Sequence, residues 1–282
     1  MIPEAIARQP LLTHFAARFV HGVPELAALN RAARGLVTGS GQPLRFVPPD
    51  GLDADYESRA FEHGEVVTRP GNWHDLFGAL AWLGFPKSKA AMNARHHEHI
   101  KAFGRCRTRV RDALTLIDEC GVVVLTADAS LWRGIREHRW RDVFAARRDE
   151  VRRSMAFFVI GHGSCDALRR PFVGLCAKAI AFTVDRIPEA TAAQLATADA
   201  LLADYVVRTA GLTPDVLQPL PLLGVPGVVE DSENPGYYDD IRQFRPVRRR
   251  QATRMGPGSP LGNRGVACGI EESPGPAEQD AG

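Results

Sequence analysis

The sequence predicts an α+β fold, a single domain with several packed helices and a small antiparallel sheet. Two observations indicate this class. Apolar or β-rich runs of strand length occur at several points of the chain, and segments with helical spacing of apolar residues separate them. Strands and helices do not alternate regularly, as they would in a parallel βαβ fold, so an antiparallel sheet is expected.

The first part of the chain is predicted to be mostly helical. Helices are expected over residues 4–19 and 24–34, and the proline at position 24 suits the first turn of the second one. A short strand is expected at 44–47, after a cluster of glycines. A third helix over 53–63 should end at Gly64.

The most distinctive segment runs from residue 66 to residue 100. Asn72 is predicted to cap a helix, because its side chain suits that position and helical spacing of large apolar residues follows it. The pair Phe85-Pro86 should break this helix. A second helix is then predicted over residues 87–99, so that the two form a helix–break–helix pair.

A β-hairpin is predicted where the pattern changes to β-rich runs at 114–117 and 122–126. The four residues between them, from Asp118 to Gly121, have the composition of a tight turn. In this interpretation, Asp118 and Glu119 are structural residues of the turn, with side chains that hydrogen-bond to the local backbone. The alternative is that these paired carboxylates hold a divalent cation or transfer protons.

The second half of the chain contains further recognisable elements. Asp128 is predicted to cap a helix, and another helical stretch should follow Trp140. An apolar loop, PLPLLGVPG, is expected at 219–227. The other predicted elements are a strand at 155–160, a Gly-His-Gly turn at 161–163, a short helix to Arg170, a strand at 175–184 and a long helix at 188–209.

The charge and the composition divide the chain into a body and a tail. Residues 1–244 carry 29 basic and 29 acidic side chains and are expected to form the single α+β domain. Residues 245–282 contain six arginines and four acidic residues among many glycines and prolines, with few large apolar side chains. Such a segment cannot bury enough surface to fold, so a disordered tail is predicted.

The same totals exclude several classes of protein. The formal net charge is only +2, and a neutral body argues against nucleic acid as a partner. No apolar run approaches the roughly 18 residues needed to span a membrane, and no secretory signal is visible. The five cysteines lack the spacing of a structural zinc site. We therefore expect a cytoplasmic protein without a membrane partner.

Several of these segments together resemble a bacterial family known as Domain of Unknown Function 3025. The resemblance is carried by N-W-H-D at 72–75, F-P-x-x-K at 85–89 and LTLIDECGVVV at 114–124. It continues in FFVIGHGSCDALRRPFVG and YYDDIRQFRP and covers about residues 40–246. The family has no assigned activity, so the resemblance implies no reaction and no ligand.

Polar residues at the ends of the predicted elements are the candidates for a functional site. His74 is predicted to be a metal ligand or a general base, with Asp75 as its orienting or ligating carboxylate. His162, between two glycines, is predicted to be a second acid or base. These three are the predicted catalytic residues.

The predicted substrate-binding residues are Asn72, Lys89 and Arg69. Lysine is rare in this chain, and two of its four lysines stand together at Lys87 and Lys89, directly after the N-W-H-D helix. Cationic side chains at this point suit a phosphate or a carboxylate.

Three functions are compatible with these residues. The preferred one is hydrolysis of a small anionic substrate, with a divalent metal as the conceivable cofactor. The alternative is a non-enzymatic binding or assembly protein, in which Asn72 and Asp75 cap a helix, His74 is structural, and the loop 219–227 is an exposed contact surface. The third is a nuclease-like protein, on account of the His, Asp and Asn residues between positions 72 and 99.

Overall fold

The computed structural model describes residues 6, 8–51, 55–104 and 106–247, and it confirms the α+β class. Short 3₁₀ and π-helical segments, including one at Pro10–Phe19, supplement the α-helices. The α-helices of the described residues are α1 (Leu26–Ala32), α2 (Tyr56–His63), α3 (Trp73–Gly84), α4 (Pro86–Phe103), α5 (Arg109–Cys120), α6 (Ala129–Arg136), α7 (Arg148–Ser154), α8 (His162–Ala167) and α9 (Thr191–Arg208).

The strands form two sheets. The strands are β1 (Arg45–Val47), β2 (Glu65–Val67), β3 (Gly121–Thr126), β4 (Met155–Val159), β5 (Cys176–Thr183) and β6 (Gln218–Pro221). A two-stranded parallel sheet pairs β1 with β2, and a four-stranded sheet has the order β4-β3-β5-β6.

The larger sheet is mixed and not purely antiparallel, which corrects the prediction. Its outer pairs, β3 with β4 and β5 with β6, are antiparallel, but the central pair β3 and β5 is parallel, with Val123 opposite Ile180. The chain leaves β3 through α6 and α7, forms β4 on one side and then crosses to the other side through α8. A long crossover of this kind is what brings two strands into parallel pairing.

The predicted hairpin at 114–126 is wrong, because its first half is helical. Helix α5 ends directly at Gly121, where β3 begins, and the Thr108 side chain caps its start by accepting a hydrogen bond from Arg111 N at 3.2 Å. The apolar side chains of α5 follow the helical spacing i, i+3, i+4, i+7 and are buried: Val110, Ala113, Leu114 and Ile117. Asp118 and Glu119 therefore lie at the end of a helix, so they are not the structural residues of a hairpin turn.

The apolar segment 219–227 is buried, so the prediction of an exposed contact loop is also wrong. Its first residues belong to β6, and Leu220, Leu222 and Val225 are almost inaccessible to solvent. All six residues of β3, an inner strand of the same sheet, are buried as well. Among the described residues, no helix is both long and apolar enough to cross a membrane.

The predicted tail lies mostly outside the described residues, which end at Val247. Its first residue, Arg245, is still held by the body, since its carbonyl oxygen accepts a hydrogen bond from Trp140 Nε1 at 3.0 Å. Of the first predicted helix, residues 4, 5 and 7 are likewise outside the described part.

The start of α4 is capped from a distant part of the chain. The Asp199 carboxylate, on α9, accepts hydrogen bonds from the backbone N–H groups of Lys87 at 3.1 Å and Ser88 at 2.7 Å. The Ser88 hydroxyl in turn donates to the Asp199 carbonyl oxygen at 2.9 Å. The buried carboxylate accepts the hydrogen bonds of the free amides and interacts favourably with the positive end of the helix dipole. This offsets the unfavourable effect of the lysines in the first turn.

We expect Asp199→Ala to lower the free energy of unfolding by about 1–3 kcal/mol, because it leaves buried amides of α4 without an acceptor. Denaturant unfolding followed by circular dichroism measures this. Asp204→Ala on the same helix is the control: it removes an exposed ion pair with Arg208, for which a loss below about 1 kcal/mol is expected. Equal losses in the two variants would contradict the capping role.

Candidate functional site

A pocket of about 480 Å³ is enclosed by parts of α2, β2, α3, α4, α5 and α8. This volume is in the range of sites that bind small molecules. Most of its lining side chains are polar or charged. They are Tyr56, Glu57, Arg69, His74, Asp75, His96, Arg111, Thr115, Asp118, Glu119 and His162, together with Val66, Val67 and Gly78.

The Gly-His-Gly segment brings the start of α8 against the end of α5. A Cβ atom on Gly161 would lie 2.3 Å from the backbone nitrogen of Gly121, and one on Gly163 would lie 2.9 Å from the carbonyl oxygen of Glu119. Only glycine permits so close a contact between two backbones. The segment thereby places His162 beside the last turn of α5.

Two histidines and one carboxylate meet at this junction. The ring centroids of His74, in the first turn of α3, and His162 are 4.3 Å apart. One donor atom from each of His74, Glu119 and His162 lies within 4.8 Å of the other two. Imidazole nitrogens and a carboxylate oxygen in such a group are a common set of ligands for a divalent metal ion.

The surroundings of His162 favour a positive charge. Its Nδ1 atom lies 3.8 Å from Asp118 Oδ1, and its Nε2 atom lies 3.5 Å from Glu119 Oε1. Burial opposes the charged form, but the two carboxylates outweigh it and raise the pKa of His162 to about 9. The contact with His162 also lowers the pKa of Glu119, against the effect of partial burial.

A buried ion pair stands behind these residues. The Lys89 ammonium, on α4, donates to Asp118 Oδ1, and both side chains are nearly inaccessible to solvent. Burial alone would raise the pKa of Asp118, but Lys89 outweighs it and holds that pKa well below its usual range. Lys89 also lies over the ring of Trp82, 5.3 Å from its centroid.

This pairing corrects the predicted role of Lys89. The side chain is absent from the pocket wall and already has an anionic partner, so it does not present a free cation to a substrate. The ammonium instead keeps Asp118 ionised beside His162. A carboxylate in contact with the second nitrogen of a ligating histidine commonly orients the ring.

Asn72, Asp75 and Arg69 form a separate unit at the start of α3. The Asn72 side chain caps the helix as predicted, accepting a hydrogen bond from Asp75 N at 3.0 Å. Asp75 does not bond back to Asn72; its carboxylate accepts hydrogen bonds from Arg69 Nε at 2.7 Å and Nη2 at 2.8 Å. Burial opposes ionisation of Asp75, but these bonds lower its pKa overall.

The structure brings four of the six predicted site residues into one pocket and leaves two outside it. Asn72 faces a neighbouring, mainly apolar pocket, and Lys89 lies beneath the wall. The four that line the pocket together are Arg69, His74, Asp75 and His162.

Sequence reasoning missed Arg111 and Thr115 as pocket residues and weighed Glu119 only as the alternative to a role in a turn. Arg111, Thr115 and Glu119 lie on one side of α5 at i, i+4 and i+8, a spacing that would have indicated a shared face had the helix been recognised. His96, on α4, is only 5% exposed, and its Nδ1 atom has no hydrogen-bond partner among the described residues. Burial lowers the pKa of His96 to about 4.

Comparison with known proteins assigns the chain to a family without a characterised activity. The family model described as "Protein of unknown function (DUF3025)" matches residues 44–248. No curated protein matches the sequence, and no solved structure matches it either.

We expect Gly161→Ala to lower the free energy of unfolding by about 1–3 kcal/mol, because the added methyl group overlaps the backbone of Cys120 and Gly121. Gly211→Ala is the matched control, since a Cβ atom there has nothing within 4 Å. Its effect should stay within about 1 kcal/mol. Chemical denaturation compares the two, and an undisturbed Gly161→Ala variant would contradict the close packing.

A second prediction concerns the pH dependence of stability. The pKa of His96 is about 4 in the folded protein, below the ordinary histidine value of 6.5, so the unfolded chain binds more protons between these two values. The stabilising effect of a neutral His96 is complete above pH 6.5 and is lost as the pH falls toward 4.

His96→Leu should therefore reduce the difference in unfolding free energy between the two ends of this range, by up to about 3 kcal/mol. Urea titrations at both ends measure it. His63→Leu, at an exposed position of α2, is the control and should keep the pH dependence of the unchanged protein. An unaltered pH dependence in His96→Leu would refute the prediction.

Proposed function

Because the chain belongs to the DUF3025 family, which has no assigned activity, we propose its function from the site: a metal-dependent hydrolase for a small charged substrate. The observation that carries the proposal is the convergence of His74, Glu119 and His162, with donor atoms within 4.8 Å of one another. The three residues come from three different helices and are separated by tens of positions in the chain. They meet only at the wall of the pocket.

The number of donors supports a catalytic rather than a purely structural metal site. Structural zinc sites are usually closed by four protein ligands, whereas catalytic sites have three and leave a position for water or substrate. Here three donors face a pocket large enough for a small molecule. Asp118 contacts the other nitrogen of His162, which is the arrangement that orients ligating histidines in metalloenzymes.

Hydrolysis is the reaction that such a site performs most directly. A divalent metal held there would activate a water molecule and polarise the substrate. The oxygen of the water forms a bond to the carbonyl carbon or the phosphorus, the bond to the leaving group breaks, and the leaving group takes up a proton. The charged side chains of the pocket bind and orient the substrate for this step.

We expect the purified protein to bind zinc, and His74→Ala, Glu119→Gln and His162→Ala each to weaken binding at least about tenfold. Isothermal titration of zinc into metal-free protein measures this directly. Asp75→Asn is the matched control, since Asp75 lines the same pocket but pairs with Arg69, so zinc binding should persist. A wild-type protein without zinc affinity, or ligand variants that bind as well as the control, would refute the metal site.

The metal-loaded protein is then tested for hydrolysis of small esters, amides and phosphate esters. Activity that disappears with each ligand variant and persists in Glu62→Gln, at an exposed position of α2 outside the pocket, supports the hydrolase. Zinc binding without turnover of any substrate class would instead support a non-enzymatic metal-binding protein.

A further inference from the structure

Two of the ionisable side chains in the pocket form no ion pair with any residue that the structure describes. Arg69 pairs with Asp75, and the Asp118 and Glu119 carboxylates both contact His162. Within the described part of the chain, no ion pair within 4.0 Å is formed by the remaining two, Glu57 and Arg111. As far as the described residues go, one carboxyl group and one guanidinium group of the pocket thus lack an ion-pair partner.

Glu57 is held in place by a neutral side chain. Its Oε2 atom accepts a hydrogen bond from Asn93 Nδ2 at 2.8 Å, and its backbone oxygen accepts another from the same amide at 2.9 Å. Burial is the main cause that raises the pKa of Glu57 to about 7. The charge of Lys89 lowers this pKa, and the charge of Asp118 raises it again. A cation brought by a ligand would stabilise the ionised carboxylate.

Arg111 is anchored in a similar way on another wall. Its Nη1 atom donates long hydrogen bonds to the carbonyl oxygens of Gly104 at 3.4 Å and Cys106 at 3.3 Å. These bonds restrain the guanidinium group but supply no negative charge. A carboxylate is the natural ligand for the planar guanidinium fork, which can donate two parallel hydrogen bonds to it.

We propose that this pocket binds a zwitterionic ligand, an amino acid or a short peptide, with its carboxylate at Arg111 and its ammonium group at Glu57. A ligand with only an anionic group would leave Glu57 unpaired, and one with only a cationic group would leave Arg111 unpaired. A ligand with both charges satisfies both walls of the same pocket.

As a statement about substrate, the inference rests on the proposed hydrolase function. The scissile bond would be an amide near His74, Glu119 and His162. The oxygen of water bonds to the carbonyl carbon, the C–N bond breaks, and the departing amine takes the proton. Binding of the zwitterion itself does not require the metal, so the two proposals can fail separately.

The experiment compares three ligands on the full-length, metal-free protein by isothermal titration near neutral pH. Glycylglycine has both charges, N-acetylglycine has only the carboxylate and glycinamide has only the ammonium group. We expect glycylglycine to bind at least about tenfold more tightly than either of the others. Equal affinities for glycylglycine and one singly charged ligand, or no binding of glycylglycine, would overturn the proposal.

Glu57→Gln and Arg111→Gln should each remove the preference for glycylglycine, Glu57→Gln against N-acetylglycine and Arg111→Gln against glycinamide. The matched controls are Glu62→Gln, at an exposed position of α2, and Arg109→Gln, at an exposed position of α5, and both should keep the preference. Circular dichroism melting confirms folding, and Arg111→Lys, which retains the charge but loses the fork, should recover part of the affinity. Loss of the preference in the controls as well would overturn the assignment.

Zinc titrations of the same variants separate the two proposals. If Glu57→Gln and Arg111→Gln bind zinc normally but lose the zwitterion, both the metal site and the ligand site are supported. If the wild type prefers glycylglycine but does not bind zinc, the hydrolase proposal fails and the zwitterion site stands. If zinc binds and glycylglycine does not, the zwitterion proposal fails alone.

Discussion

The buried ion pair between Lys89 and Asp118 is the interaction on which the site depends. It joins α4 to α5 in a part of the molecule from which water is nearly excluded. Removing either partner would leave an uncompensated buried charge, which typically destabilises a protein by about 3–5 kcal/mol. The pair therefore constrains how the two helices pack, and with them the last turn of α5.

That last turn presents two adjacent carboxylates to different surroundings. Neighbouring helical residues point about 100° apart. Asp118 accordingly reaches inward to Lys89, while Glu119 is more exposed and belongs to the donor cluster. His162 contacts both carboxylates, because the glycines on either side of it let α8 approach the end of α5. One buried pair and one close backbone contact thus position the donors contributed by α5 and α8.

Local signals in the sequence predicted local structure well. Asn72 and Asp128 cap the helices that they were expected to cap, since a side chain of this kind bonds to an amide two or three residues away. The pattern at 114–126 wrongly predicts a hairpin when its β-rich composition is given more weight than the helical spacing of the buried residues in α5. Without that helix, the sequence does not show that Arg111, Thr115 and Glu119 share one face, and much of the pocket depends on that face.

The sequence by itself determined the α+β class, most helices and strands, and the candidacy of His74 and His162. Only the tertiary structure decided which charges neutralise one another. Lys89 and Asp118 are 29 positions apart and Arg69 reaches Asp75 across a turn, whereas Glu57 and Arg111 remain unpaired within the described residues. Coulombic interactions depend on distance and burial in space, and neither quantity can be read from positions along a chain.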